Sequence, residues 1–329
     1  MKAQTWRTYL YGVLLGAAAA LGPVSASAQS YPSRPVSLVV PFGPGGGVDV
    51  VARALATRLS PVLGQSVVVE NVPGANSVIA TRRVAEAPAD GHTLLLTTDF
   101  HAINAAYGDS LPYDSIKDFD FVSQLTASPL MLVASPSANL STLADVVETA
   151  KKKPGELSFG SLGPSSPHFL AFEWWKSMAD VDIVDVPYKQ AGQVVTDLLG
   201  GHVDLSLIVA GNGIRYHNDG KMKALAVTGP ERWPTAAEIP TFVELGYPDF
   251  ALRNWYVILV PAGTPESVIE QLNAEIHKIM HEPEIVKLLL NAGLQPVTDT
   301  PQAAEALVLA EIDKYRRIIE LSGAKREGQ

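Results

Sequence analysis

The apolar positions of this chain switch repeatedly between two rhythms. Residues 36–40 form a short continuous apolar run, the pattern of a strand buried on both faces. Val48, Val51, Ala52, Leu55, Leu59, Val62 and Leu63 then recur at helical spacing until Gly64 stops them. Residues 66–70 and 93–97 read as further strands, with a helix over 78–87 between them that Pro88-Ala89-Asp90-Gly91 closes. This alternation predicts a βαβαβ unit built on a parallel sheet.

A second unit follows the first. Strands are expected at 130–134, 157–161, 183–186, 204–209 and 223–228. Between them fall helices over 141–152 and 169–178 and one ending at Leu199. One more strand spans 255–260, and helical segments over 266–281, 283–292 and 301–321 finish the chain. A block of helices after a complete unit predicts that the chain returns to pack on the first. The expected fold class is α/β, with a parallel-sheet core in each of two lobes. No repeat of short period interrupts the pattern.

Composition supports this division. At 329 residues the chain is long for one domain, and 47% hydrophobic against 18% charged residues suits a substantial core. It has no cysteine, which excludes disulfides, thiolate metal sites, a cysteine nucleophile and a lipidated anchor. Residues 1–28 read as a secretory signal: Lys2 and Arg7, an apolar stretch over 10–22, then Ala26-Ser27-Ala28 before Gln29. Cleavage there lowers the formal charge of −9 by two more, and places the protein in the periplasm. No later stretch is long and apolar enough for a membrane helix. An acidic protein without basic runs is not expected to bind nucleic acid.

Candidate chemistry gathers where ligands sit in such sheets, beyond the carboxyl ends of the strands. Pro41-Phe42-Gly43-Pro44-Gly45-Gly46-Gly47 joins a strand to a helix start, the arrangement that offers backbone N–H groups to an anion. Phe42, Gly43, Pro44, Gly45 and Gly46 are therefore candidate ligand contacts. Asp49 belongs to the first helical turn, where a carboxylate complements the helix dipole, and Arg53 to an ion pair on the helix surface. Thr98 and His101 follow the third strand. In the second unit Ser161, Gly163, Ser165, Ser166 and His168 form the equivalent strand-to-helix loop, although serines there can equally cap the helix. Lys189 and Gln190, and the backbone at Ala210, complete the set, with Lys189 read equally as a surface lysine and Asp204 as a support for its strand.

Enzyme signatures fail. Neither Ser165 nor Ser166 sits in a G-x-S-x-G elbow. The dinucleotide fingerprint breaks at Val48, and no Gly-Lys-Ser/Thr phosphate loop occurs. His277 and His281 are four apart on a helix, but without a third ligand a solvated helix face is the better reading. No catalytic residue, metal or cofactor is expected.

The chain resembles the periplasmic receptors of tripartite tricarboxylate transporters, the TctC or Bug family. The matching pieces include Tyr31-Pro32-Ser33-Arg34-Pro35, Pro41-Phe42 with Pro44-Gly45-Gly46, Asp49 and Ala52-Arg53, and Val69-Glu70-Asn71 with Pro73-Gly74-Ala75. Asp90-Gly91, Pro112-Tyr113-Asp114, Val186-Pro187-Tyr188-Lys189, Asp197-Leu198-Leu199-Gly200-Gly201 and Pro261-Ala262-Gly263-Thr264-Pro265 continue in family order across nearly the whole chain. The resemblance implies a type II, Venus-flytrap binding protein with two crossing strands as hinge. Its lobes would be 29–129 with 254–329, and 130–253. It implies a small organic carboxylate as ligand (a di- or tricarboxylate, amino acid or aromatic acid), membrane transporter subunits as partners and a monomeric receptor. Two departures, Asn76-Ser77-Val78 and Gln190, bear on ligand specificity. A sensor for a signalling partner is the alternative, and a serine hydrolase a distant one.

Overall fold

The computed structural model describes residues 31–108 and 111–324, so the signal-peptide reading of residues 1–28 lies outside the described residues. The chain builds two mixed sheets. The first contains β1 (Val36–Val40), β2 (Val67–Asn71), β3 (Thr93–Thr98), β4 (Phe119–Ser128), β10 (Asn254–Pro261) and β11 (Gln295–Pro296), in the order β11-β4-β10-β3-β1-β2. The second contains β5 (Leu130–Ala134), β6 (Ser158–Ser161), β7 (Val184–Pro187), β8 (Leu205–Val209) and β9 (Lys223–Val227), in the order β7-β6-β8-β5-β9. Each sheet has a parallel core, β2-β1-β3 and β7-β6-β8. The other strands make antiparallel pairs: β10 lies antiparallel between β3 and β4, with β11 antiparallel to β4, and β5 lies antiparallel between β8 and β9.

In the first lobe α1 (Gly47–Leu63) connects β1 to β2, and α2 (Val78–Ala85) connects β2 to β3. β2 and β3 lie on opposite sides of β1, so right-handed crossovers place α1 and α2 on opposite faces. The period-2 side-chain alternation of β1 shows both faces at work. Val36, Leu38 and Val40 pack with Val51, Leu55 and Leu59 of α1, while Val39 packs with Ala80 and Val84 of α2. The second lobe repeats the scheme. After α4 (Leu143–Lys152), α5 (Pro167–Ala179) links β6 to β7 and α6 (Ala191–Gly200) links β7 to β8, before α7 (Ala210–Asn218). Phe159 packs with Phe172 and Trp175 of α5, and Ile208 with Leu198 and Val195 of α6.

The chain leaves the first sheet at Ser128 and enters the second at Leu130, and it returns from Leu252 to Asn254. α3 (Phe100–Ala106) follows β3. After β10 come α8 (Glu266–Met280), α9 (Pro283–Asn291) and α10 (Pro301–Ser322). α8 and α9 cover the α1 face, as the expected return onto the first lobe requires. α10 goes further: Ile312, Tyr315 and Ile318 share one buried cluster with Ala102 and Ile103 of α3 and with Trp175 of the second lobe. The lobes are therefore joined along one flank by a common apolar core as well as by two crossings.

Some elements differ from the sequence reading. The helix expected from Ser141 is capped by Thr142, whose hydroxyl accepts from the Asp145 amide while the Asp145 carboxylate accepts from the Thr142 amide. β4 and the helices α3 and α7 were not expected. β4 is buried along nearly all its length while carrying Ser123, Gln124, Thr126 and Ser128, so its polar letters hide its burial. No described helix is long and apolar enough to cross a membrane.

Candidate functional site

Both lobes carry a topological switch point. β1 and β3 are neighbours whose helices leave on opposite faces, and so are β6 and β8. The crevice at the carboxyl ends of such a pair is where α/β sheets bind ligands. The β1 crevice is floored by residues 42–47, and the β6 crevice by 161–168. The two rims meet: Tyr107, just past α3, donates its hydroxyl to the Pro164 carbonyl at 2.9 Å.

The glycine turn is held from below. Gly45 has φ +88°, a left-handed angle that favours glycine, and its amide donates to Asp49 Oδ2 at 2.9 Å. The same oxygen accepts from Arg53 Nε at 2.8 Å, and Asp49 Oδ1 accepts from Asn71 Nδ2 at 2.9 Å. Asn71 also donates to the Phe42 carbonyl. Asp49 is buried, and these donors, Arg53 first, hold its carboxyl down at about 2. It is therefore a brace for the turn, and Arg53 pairs with Asp49 itself.

Gly46 is the N-cap of α1, with no side chain capping it. The amides that open a helix have no intrahelical acceptor, so those of Gly47 and Val48, at the carboxyl end of β1, have none. No atom lies within 4 Å of a Cβ placed on Gly43, Gly45 or Gly46, whereas one on Gly47 would lie 3.2 Å from Tyr256 Oη. Tyr256 comes from the crossing strand β10, opposite Thr98. Its phenol, raised beyond the ordinary tyrosine value by burial and by Asp99, stays protonated and can donate a hydrogen bond beside the helix start. This residue was missed in the sequence. The signal was there: one polar-tipped ring among the apolar letters of Asn254–Pro261.

Asp49→Asn tests the brace. Removing charge-assisted bonds from a buried carboxylate, discounted for the exposed Arg53 partner, should cost about 2 kcal/mol in urea unfolding at pH 7. The folded value lies below the ordinary 3.8, so this stability is present above that value and is lost as pH falls toward 2. An Asp49→Asn variant with unchanged stability and an unchanged acid limb would show that the brace contributes nothing.

The structure separates the other candidates. Phe42 and Pro44 are on the turn, and Phe42 packs against Phe100 with ring centroids 5.8 Å apart. Thr98 is buried at the end of β3, and the neighbouring Thr97 hydroxyl has no protein partner. His101, expected at the cleft, is instead fully buried beneath it. Its Nε2 donates to the Ser115 carbonyl at 2.8 Å, its ring packs on Tyr113 and Phe119, and burial lowers it to about 4. It is a core histidine because Ala102 and Ile103 turn the same helix inward.

In the facing loop, Ser166 caps α5 by accepting from the Phe169 amide, and Ser161 accepts from the Gly163 amide while hydrogen-bonding to Asp185. Both hydroxyls are thus structural. Gly163 has φ +88° and gives the loop its turn. Ser165 Oγ and His168 Nδ1 are buried without a protein partner, so they are the open groups of this loop. Lys189 and Gln190 are exposed at the start of α6. Ala210 is buried, and its amide donates to the Pro129 carbonyl at the crossing, which takes it out of the ligand-facing set. Asp204 supports its strand as expected, accepting from the Ser158 amide and hydroxyl. His277 lies on the exposed face of α8 and His281 just past its end, bonded through Nδ1 to Thr298 and to the His277 carbonyl. Among the described residues no group of three or more His, Asp or Glu is placed to hold a metal ion.

Beside His168 the second lobe opens a cavity of about 140 Å³ at the carboxyl ends of β6 and β8. Leu162, Val194, Val195, Leu207, Ile208 and Val209 form most of the apolar part of its wall.

Comparisons with known proteins agree with this fold. The model of the tripartite tricarboxylate transporter family receptor matches residues 51–324. Protein BugT of Bordetella pertussis is 34% identical over 316 residues, covering 95% of this chain and 96% of its own. A Rhodopseudomonas palustris protein solved with adipate superposes with a TM-score of 0.81 at 33% identity, covering 89% of this chain and 98% of its own. MatC of the same organism, solved with bound malate, gives 0.78 at 29% identity, covering 88% and 100%. The periplasmic binding protein BugD gives 0.79 at 29% identity, covering 90% and 100%. With two lobes, two facing switch points and a family match over most of its length, the chain belongs to the receptor family of the tripartite tricarboxylate transporters.

Proposed function

We propose that this chain is a periplasmic receptor that captures a small organic carboxylate between its lobes and delivers it to the membrane subunits of a tripartite transporter. It acts as a monomer and without catalysis. Ser128–Leu130 and Leu252–Asn254 serve as its hinge, the lobes being 29–129 with 254–329, and 130–253. The observation that carries this reading is the uncapped start of α1 at Gly46, with Tyr256 Oη beside it. Helix-start amides and a neutral phenol neutralise a carboxylate by dipoles, which an acidic protein must use in place of a general positive field. Adipate and malate in the two relatives are ligands of this chemistry. The ligand favours the closed form by touching both lobes at once.

A thermal-shift panel of mono-, di-, tri- and aromatic carboxylates tests the reading. A ligand at 100 times its dissociation constant should add roughly 2.7 kcal/mol of stability. Gly46→Val sharpens the test. Gly46 has φ −77° and ψ 169°, extended angles open to any residue, and space for a side chain. The variant should fold normally yet lose at least about tenfold in affinity, as the isopropyl group covers the amides. A panel with no hit would reject the receptor, and unchanged affinity in the variant would remove the glycine turn from the site.

A further inference from the structure

From the second-lobe cavity, and resting on the receptor reading above, we infer that the ligand is a carboxylate with an uncharged apolar body: its one carboxylate stays at the glycine turn, and a short alkyl chain or single aromatic ring fills the cavity behind Ser161 and His168. A cavity of about 140 Å³ holds roughly five waters, the volume of such a group.

The side chains of the wall favour an uncharged body over a second carboxylate. No Arg, Lys, Asp or Glu lines the cavity among the described residues. Its hydroxyls are already engaged: Ser206 donates to the Gly160 carbonyl at 2.8 Å, and Ser161 is held by Gly163 and Asp185. His168 remains. Burial, with no acidic neighbour to oppose it, lowers its imidazole to about 4, so it is neutral at physiological pH. A neutral ring with one open nitrogen can take a single hydrogen bond from a hydroxyl, a carbonyl or a ring edge. It brings no counter-charge to a carboxylate, and a carboxylate in an apolar pocket without enough partners is strongly disfavoured. Apolar carbons, in contrast, gain from every contact with Leu162, Val194, Val195 and Leu207.

The test is a matched series measured by calorimetry on the full chain without its signal segment: hexanoate, benzoate, adipate and citrate. Hexanoate and adipate share a six-carbon chain and differ in the second carboxylate. Hexanoate or benzoate should bind at least about tenfold more tightly than adipate, and citrate most weakly. Asn212→Arg then places a cation on an exposed position at the cavity mouth and should reverse the order of hexanoate and adipate. If adipate or citrate binds wild type more tightly than the monocarboxylates, the apolar-body inference falls while the receptor reading stands. If none of the four binds, and the wider panel also fails, both fall. If Asn212→Arg folds, by its circular dichroism and melting curve, and keeps the wild-type order, the cavity is not where the ligand body lies.

Discussion

Replacing Gly211 by alanine is expected to loosen the receptor at its pivot, lowering stability by about 3 kcal/mol and ligand affinity by about tenfold or more. Gly211 opens α7 in the second lobe, and Gly293 follows α9 in the first. A Cβ on Gly211 would overlap Gly293 Cα and lie 2.6 Å from the Gly293 nitrogen. The obstacle is backbone, so no side chain can rotate away, and overpacking of this kind typically costs about 1–3 kcal/mol. The contact sits beside the crossing. Ala210 donates to the Pro129 carbonyl, and the Gln295 amide donates to Ser128 Oγ at 3.2 Å. The lobes can relieve the clash only by moving apart where they are joined, and a shift at a pivot is magnified at the cleft. Gly293→Ala should be worse, because Gly293 also has φ +76°, an angle that strains any L side chain. Urea unfolding and calorimetry on both variants would check this. A Gly211→Ala variant with wild-type stability and affinity would show that the lobes do not bear on each other here.

Asp99 is expected to make the protein lose stability as pH rises from about 4 to 7, and Asp99→Asn should remove most of that slope. The carboxyl is fully buried between the crossing strand and α10. It accepts from the Trp255 amide at 3.0 Å and from Tyr315 Oη at 3.2 Å. Glu311, itself paired with Lys314, faces it from α10, and the Tyr256 phenol faces it from β10. Burial first, and then Glu311, push Asp99 up to about 7. The folded form thus holds a proton that the unfolded chain releases near 3.8, so stability is fully present below that value and falls until pH passes 7. At roughly 1.4 kcal/mol per pH unit the upper limit is about 4 kcal/mol. Asparagine keeps the acceptor for Trp255 and carries no charge to bury. Urea melts of both proteins at pH 5 and pH 8 would decide it. Parallel pH slopes would mean that Asp99 is ionised throughout. The Asp49 effect has the opposite sign and lies below about pH 4, so the two do not overlap.

Much of the fold was legible because burial and periodicity coincide. The runs at 36–40 and 93–97 are apolar since both faces of each strand are covered, and the glycine-rich turn marks where β1 ends. The three closing helices kept the 3.6-residue rhythm of one buried face. Legibility failed where polar letters are buried by distant partners. β4 carries Ser123, Gln124 and Thr126, satisfied in part by the Asp299 side chain and main chain. His101 looks like a cleft histidine in sequence, and only the ring packing of Tyr113 and Phe119 makes it a core one.

What the amino-acid order determined by itself is the alternation of strand and helix, and with it the loops at the carboxyl ends of β1 and β6 as places where an anion can meet backbone amides. Those follow from local rules: glycine angles, helix starts and apolar period. What only the tertiary structure decided is which groups remain open once folding has used the rest. Asp49 takes the Gly45 amide, Ser161 and Ser166 turn their hydroxyls to their own loops, and the Ala210 amide goes to the hinge. Ser165 Oγ and His168 Nδ1 keep no protein partner, Tyr256 Oη lies beside the start of α1, and Val194 and Val195 line the second-lobe cavity; the proposed site is made of these. Their placement depends on how β10 crosses between lobes and how α6 lies against β8, long-range packing that no local pattern records.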